Sequence, residues 1–414
     1  MNFKSQALEL QEFLLQYSPI WNQEVMNEYP NTIPDYPAEW LDLLDKLTRE
    51  ELFAIDSKQS FTKIAGTSLY DFLLKIQKIS HIEAVDESPE LPLEDWAFAG
   101  VKLKKRHEIQ KIVPEIKKIH LQHKIHHLND IGGGVGHLSR ILAHYHSIPA
   151  FSIDQNKEFQ ATGEKRLKRF RKIADAAEVT FINMKFGEEN KINDQVFSPD
   201  SFSLGLHTCG NLALKLIETS VHYRTRGLLS FGCCYHLIRH ADDSNFYQSE
   251  FYRQNNFQKI NLYGLSLATR SHAETNFQNY IKKEKVKNYR YGFHLFMMKH
   301  FNRNDYIDVG ECPLQVYDQP ISQYILLKLA VLEIPHSYAK EYIENFYYSK
   351  QIQTELRTMF LCNIIRWQIG RALEVFLLLD RCLMLTENGY QVTIKQFFTE
   401  ELSPRNIGIL ALSK

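Results

Sequence analysis

Through roughly the first ninety positions, apolar residues recur at helical spacing with acids on the opposite face, as in "PAEWLDLLDKLTREELFAI". That pattern predicts helices, interrupted by Pro30, Pro34 and Pro37. The acidic, proline-bearing stretch "DESPELPLEDW" (86–96) reads as a linker, so a helical N-terminal region is expected over 1–92.

Beyond it the rhythm changes. A basic amphipathic segment, "GVKLKKRHEIQKIVPEIKKI", leads to a short strand over 127–131, a glycine-rich loop, a helix over 137–146 and the strand "PAFSID" (149–154). The same alternation continues through a helix, strands "VTFINM" (179–184) and "SFSLGLH" (201–207), helix "NLALKLIETSVHYR" and strand "GLLSFGCC" (227–234). Strands alternating with helices predict a doubly wound parallel α/β sheet of the Rossmann-like kind, its first part over 93–240. Residues 241–350 break the alternation with polar, aromatic-rich and helical segments and read as an insertion. A long helical pattern (354–385) and strands "YQVTIKQFF" and "IGILALS" then predict that 351–414 supplies a final helix and an antiparallel hairpin completing the sheet.

Charge narrows the function. Lysine plus arginine equals aspartate plus glutamate, 49 each, so no global field draws the chain to a polyanion or an anionic membrane. Nucleic-acid contact would have to be local: DNA is not expected, and RNA is left open. No apolar run approaches the roughly 20 residues a membrane span requires, and "MNFKSQALELQEFLLQ" reads as an amphipathic helix rather than an export signal. Six cysteines, an adjacent pair among them, are sparse in so large a chain and suit reduced thiols in the cytoplasm.

The chemistry begins at "LNDIGGGVGHLSR" (128–140). A strand turning directly into a helix admits a ligand against its backbone only where side chains are absent, which Gly132, Gly134 and Gly136 provide. The spacing is not the dinucleotide G-x-G-x-x-G, because His137 takes the last glycine's place. Asp130, just ahead of the loop, would repel a phosphate and attract an ammonium. Asp154, eighteen residues past Gly136, ends the next strand where a carboxylate can accept hydrogen bonds from a ribose diol. Strand, acid, loop, helix, strand and second acid in that order point to S-adenosylmethionine and a methyltransferase. The bland alternative is a tight turn with Asp154 as a helix cap.

"LHTCGNLA" (206–213) and "FGCCYHL" (231–237) fall where the fourth and fifth strands run out, the ligand crevice of an open parallel sheet. Cys209, Cys233 and Cys234 are soft ligands suited to zinc or a related metal. Alternatively they pack as small hydrophobes around an acceptor, with His207, then His236, as the general base. The [DNS]-P-P-[YFW] element of amino-methylating nucleic-acid enzymes is replaced by "HTCG", so an adenine N6-methylation mechanism is not supported.

Lys165, Arg166, Lys168, Arg169, Arg171 and Lys172 surround Leu167 and Phe170 in a helix that could touch phosphates or simply face solvent. Lys105, His107 or Glu108 could reach a cofactor tail or substrate. Phe246, Tyr247, Phe251, Tyr252, Tyr289, Tyr291 and Phe293 could wall the acceptor site or form the insertion's own core.

Taken together, "LKKRHEI", "DIGGGVGHLSR", "GLHTCGNL", "FGCCYHL", "ALEVFLLLDRCLML" and "LSPRNIGILALSK" resemble the methyltransferase-like protein 25 family over about residues 90–414. The resemblance implies an S-adenosylmethionine-binding Rossmann-like domain. It carries over Asp130, Gly132, Gly134, Gly136 and Asp154 as cofactor residues, and His207, Cys209, Cys233, Cys234 and His236 as a distinctive crevice. The acceptor stays open among protein, small molecule and RNA; the rival reading is a non-catalytic cofactor- or metal-binding regulatory or assembly protein.

Overall fold

The structure is a computed structural model that describes residues 2–86, 93–169, 176–187, 196–238, 246–270, 276–304, 307, 309–310 and 312–414. The chain divides into two compact units: residues 1–13, 79–259 and 372–414 form the first, and 14–78 with 260–371 the second. Among the described residues no helix is long and apolar enough to cross a membrane.

The first unit is built on a seven-stranded sheet. Its strands are β1 (His127–Ile131), β2 (Ala150–Asp154), β3 (Val179–Asn183), β4 (Ser201–Cys209), β5 (Gly227–Cys233), β6 (Tyr390–Gln396) and β7 (Ile407–Ser413), in the order β3-β2-β1-β4-β5-β7-β6. β1 to β5 pair in parallel, with Asp130 opposite Ser152 on one side and Leu204 on the other. β7 runs antiparallel between β5 and β6. This mostly parallel sheet with a C-terminal antiparallel pair is the Rossmann-like methyltransferase arrangement the strand pattern predicts. The order reverses at β1 and β4, which places a crevice outside their C-terminal ends.

Helices cover both faces. In α1 (Leu103–His123), Ile109, Ile112, Val113 and Ile116 follow one another at spacings of three, one and three, so all lie on one face. They pack with Leu138, Ile141 and Leu142 of α2 (His137–His146) against Leu128, Phe202, Leu204 and Leu229 of the sheet. Each such fully buried side chain contributes about 1.5–3 kcal/mol, and Ile112→Ala would cost about 2–5 kcal/mol. On the other face Leu216 of α4 (Asn211–His222) packs with Ile131, Ile153 and Phe197. α3 (Lys157–Arg169) follows β2. Sheet strands buried on both sides read as nearly continuous apolar runs, and β5 is buried at every position.

Two buried polar side chains of β1 meet one carbonyl. Asn129 Nδ2 donates to the Val196 carbonyl at 2.6 Å, and His127 Nε2 lies 2.7 Å from the same oxygen. At the far edge the Gln396 amide donates to the Glu83 carbonyl at 2.8 Å.

The second unit is helical and includes α5 (Phe277–Phe301) and α6 (Lys350–Gln368). A capping box, with Thr48 Oγ1 accepting from the Glu51 amide and Glu51 Oε2 accepting from the Thr48 amide, begins its helix Arg49–Lys58. The single long helix expected over 354–385 is in fact two, because α6 ends at Gln368 and α7 starts at Gly370 and runs to Glu387. Glycine at that start lowers the helical propensity of the junction.

Five of the seven aromatic residues considered as pocket walls lie in cores, and Phe246 and Phe251 are half-buried. Tyr247 and Tyr252 are buried against Phe376 in the first unit, where the Tyr252 hydroxyl donates to the Phe376 carbonyl at 2.8 Å. Tyr289, Tyr291 and Phe293 are buried in the second. Of the basic stretch, Lys165, Lys168 and Arg169 are exposed on α3, and Arg166 donates to His137 Nε2 at 3.0 Å. Phe170, Arg171 and Lys172 lie outside the described residues, as do 87–92 of the expected linker.

Candidate functional site

The loop from β1 into α2 turns through three glycines with left-handed backbones: Gly132 at φ 72°, Gly134 at 59° and Gly136 at 67°. Residues with a Cβ resist that region by about 1–2 kcal/mol. The three differ in what surrounds them. A Cβ on Gly136 would come within 2.7 Å of the Phe181 ring, so this glycine serves packing. A Cβ on Gly134 would meet nothing within 4 Å, so the backbone there faces open space.

Asp154, at the end of β2, holds that loop. Its Oδ2 accepts from the Gly134 amide at 2.9 Å and its Oδ1 from the Asn156 amide at 2.8 Å. An ionised carboxylate has about four acceptor positions, so two backbone donors leave capacity for two hydroxyls. The Gly134 carbonyl in turn accepts from Gln160 Nε2 of α3 at 2.8 Å. Asp130 is buried, and its Oδ2 accepts from the Ser139 hydroxyl at 2.6 Å. Burial pushes the Asp130 carboxyl up, opposed by that hydroxyl and by the positive charge of Lys105. Asp130 therefore ties the loop to the first turns of α2.

An open cradle at Gly134 with a hydroxyl-accepting carboxylate beside it suits the ribose and amino-acid parts of S-adenosylmethionine. The residues fit the group.

At the C-terminal end of β4 the ladder slips between Leu206 and Thr208, and His207 takes φ 62°. Such bulges redirect a side chain out of its register. Here His207 Nε2 comes 2.6 Å from Glu108 Oε1 on α1, with the histidine side chain 21% exposed and the glutamate 1%. The Ser403 hydroxyl donates to the same oxygen at 2.8 Å, and Lys105 Nζ stands 3.5 Å from Oε2. Burial alone would raise the Glu108 carboxyl, but the hydrogen bond and charge of His207, with Lys105 and Ser403, hold it at about 2. Of the three α1 residues considered for cofactor or substrate contact, Glu108 thus serves His207. His107 Nε2 accepts from the Thr399 amide at 3.1 Å.

One step further, Cys209 of β4 sits opposite Cys233 of β5. Their sulfurs are 3.3 Å apart, both thiols are free, and the sulfurs of Cys209, Cys233 and Cys234 all lie within 4.8 Å of one another. Gly210, at φ 54°, follows; a Cβ there would press on the Leu237 backbone at 2.8 Å, and its amide donates to the Cys233 carbonyl at 3.0 Å. This close approach brings the two strand ends together. The hydrogen bond shared with Cys233, which outweighs burial and is helped by Cys234, His207 and His236, draws the Cys209 thiol down to about 6, while Cys233 is pushed up. Three sulfurs on a tetrahedral zinc stand about 3.8 Å apart, given Zn–S near 2.3 Å. The trio matches that spacing with small movements, so its donor set fits a thiolate metal. His236, half-buried in the turn Tyr235–Leu237, follows directly.

Sequence reasoning singled out each of these cysteines and histidines but not the partners Ser139, Gln160 and Ser403. Ser403 stands in the "SPRN" turn some 295 residues from Glu108, a distance over which no local pattern speaks. Residues 104–241 match a protein-family model described as a methyltransferase domain, a span that holds β1 to β5, the glycine loop and the thiols; over it the chain is similar to methyltransferases.

Proposed function

We propose that this chain is an S-adenosylmethionine-dependent methyltransferase whose acceptor binds at the ends of β4 and β5. The observation that carries the reading is the pairing of open backbone at Gly134 with the Asp154 carboxylate 2.9 Å from its amide. Similarity to a methyltransferase domain supports it. So does the resemblance of the longer motifs to the methyltransferase-like protein 25 family.

In this reading Gly132 and Gly134 leave room for the methionine portion, and Asp154 accepts hydrogen bonds from the ribose hydroxyls. Asp130 keeps the loop in register through Ser139. S-adenosylmethionine supplies an electrophilic methyl group when bound. The protein's share is proximity and orientation, together with proton removal where the acceptor atom carries a proton. His207 is the base for that removal. Glu108 fixes its ring by accepting from Nε2–H, which leaves Nδ1 as the proton-accepting nitrogen. His236 is the second candidate. The acceptor belongs to protein, small-molecule or RNA chemistry, and the compartment is the cytoplasm.

A second reading rests on the thiols: Cys209, Cys233 and Cys234 hold zinc, either beside the acceptor or in a non-catalytic binding protein. One pair of measurements separates the two. Isothermal titration with S-adenosylhomocysteine and metal analysis of the purified chain are run in parallel. Binding of the nucleoside supports the methyltransferase, with or without zinc; zinc without nucleoside binding supports the binding protein.

A further inference from the structure

Cys233 and Cys234 are consecutive, and consecutive residues of a strand point to opposite faces of a sheet. Their sulfurs nonetheless lie, with that of Cys209, within 4.8 Å of one another. The backbone accounts for this: β5 ends at Cys233, and Cys234 takes φ 51°, a left-handed conformation that residues with a Cβ rarely adopt. The turn brings its thiol beside the other two.

Within the trio one pair is closer. Cys209 and Cys233 are Cα partners across β4 and β5, and their sulfurs stand 3.3 Å apart. Neighbouring strands run about 4.8 Å apart and a disulfide spans Cα separations of about 4.4–6.8 Å, so this pair can be bonded with both strands in place. The strand ends are already fixed at this point by the Gly210 amide, which donates to the Cys233 carbonyl at 3.0 Å.

Exposure divides the roles. Cys209 is exposed, Cys234 half-buried and Cys233 buried. Packing explains a buried thiol but not an exposed one, since free cysteine ordinarily fills a core. An accessible sulfur in contact with a sheltered one is instead the arrangement of an attacking and a resolving thiol.

We propose that Cys209 and Cys233 form an oxidation site in the metal-free chain, closing to a reversible disulfide when hydrogen peroxide reaches Cys209. The Cys209 sulfur attacks one peroxide oxygen: the S–O bond forms, the O–O bond breaks, and the other oxygen leaves as water with the thiol proton. The Cys233 sulfur then attacks the Cys209 sulfenic acid; the S–S bond forms, the S–O bond breaks, and hydroxide leaves as water with the Cys233 proton. The two thiols lose two electrons and two protons, and one peroxide becomes two waters. One sulfur of the closed form is accessible, so a small thiol reopens it by exchange. Closure takes two of the three donors proposed for a metal, so metal and disulfide exclude each other. It also ties β4, two residues past His207, to β5. The inference rests on the sulfur geometry and not on the methyl-transfer reading.

The test uses the full chain, reduced, freed of metal by a chelator and treated with hydrogen peroxide while folded. Remaining thiols are blocked, and the digest is mapped by mass spectrometry with and without dithiothreitol. A peptide linking Cys209 to Cys233 is expected, lost on dithiothreitol treatment, absent from Cys209→Ser and formed in Cys234→Ser at the parent's rate. Cys209→Ser changes an exposed side chain, and its thermal melt should match the parent's. No linked peptide, sulfinic acid at Cys209 in its place, or loss of the link in Cys234→Ser overturns the proposal.

Discussion

Glu108 Oε1 accepts from His207 Nε2 at 2.6 Å, joining a helix that precedes the sheet to a bulged residue ninety-nine positions later. The glutamate is buried and the histidine partly open, so the pair has an anchored end and an exposed end. That asymmetry is what a positioned base requires. His207→Ala is expected to lower methyl transfer to a proton-bearing acceptor by about 100- to 10,000-fold while leaving S-adenosylhomocysteine affinity within about twofold. Transfer of label from radioactive S-adenosylmethionine to fractionated cell extract, beside a binding titration, reads both quantities. Unchanged transfer would move the role to His236.

The same pair makes stability depend on pH. The Glu108 carboxyl, at about 2 when folded, lies below its ordinary value of 4.5. Its ionised contacts therefore contribute stability that is complete above about pH 4.5 and lost as pH falls toward 2. Glu108→Gln should be less stable than the parent at about pH 6, and the gap should narrow by about pH 3. Urea unfolding midpoints at the two pH values measure it, and a gap that stays constant contradicts the assignment.

Gly134 and Gly136 should part company on substitution. Gly134→Ala meets only the left-handed backbone penalty, about 1–2 kcal/mol. Gly136→Ala adds a clash with Phe181, a further 1–3 kcal/mol or about that. Thermal melts should therefore rank Gly136→Ala below Gly134→Ala. Ligand affinity should show the greater loss per unit of stability at Gly134, where the backbone is open.

How much of this was legible beforehand follows from where the information sits. The alternation of strands and helices could be read because strands such as β5 are nearly continuous apolar runs, and burial on both faces produces such runs locally. The glycine loop was legible for the same reason: its requirement is for missing side chains, and glycine states that directly. Three things were not. The left-handed His207 carries no composition signal, since a bulge depends on its neighbour strand. The break between Gln368 and Gly370 was hidden by apolar spacing continuous across it. The gathering of residues 14–78 with 260–371 into one unit depends on contacts far apart in sequence, to which periodicity is blind.

The thiol trio predicts a metal content. Protein purified without chelator should carry about one zinc per chain, lost in Cys233→Ser and kept in Cys312→Ser, whose thiol lies outside the cluster. Mass-spectrometric elemental analysis decides it. Zinc absent from the parent, or retained by Cys233→Ser, assigns these cysteines to packing.

The account stands on the loop after β1 and the carboxylate that braces it, and calorimetric titration of the full chain with S-adenosylhomocysteine tests this directly. The prediction is saturable binding at a single site, weakened at least tenfold by Asp154→Ala in protein that still melts cooperatively. No binding by the parent, or equal binding by Asp154→Ala, would contradict it.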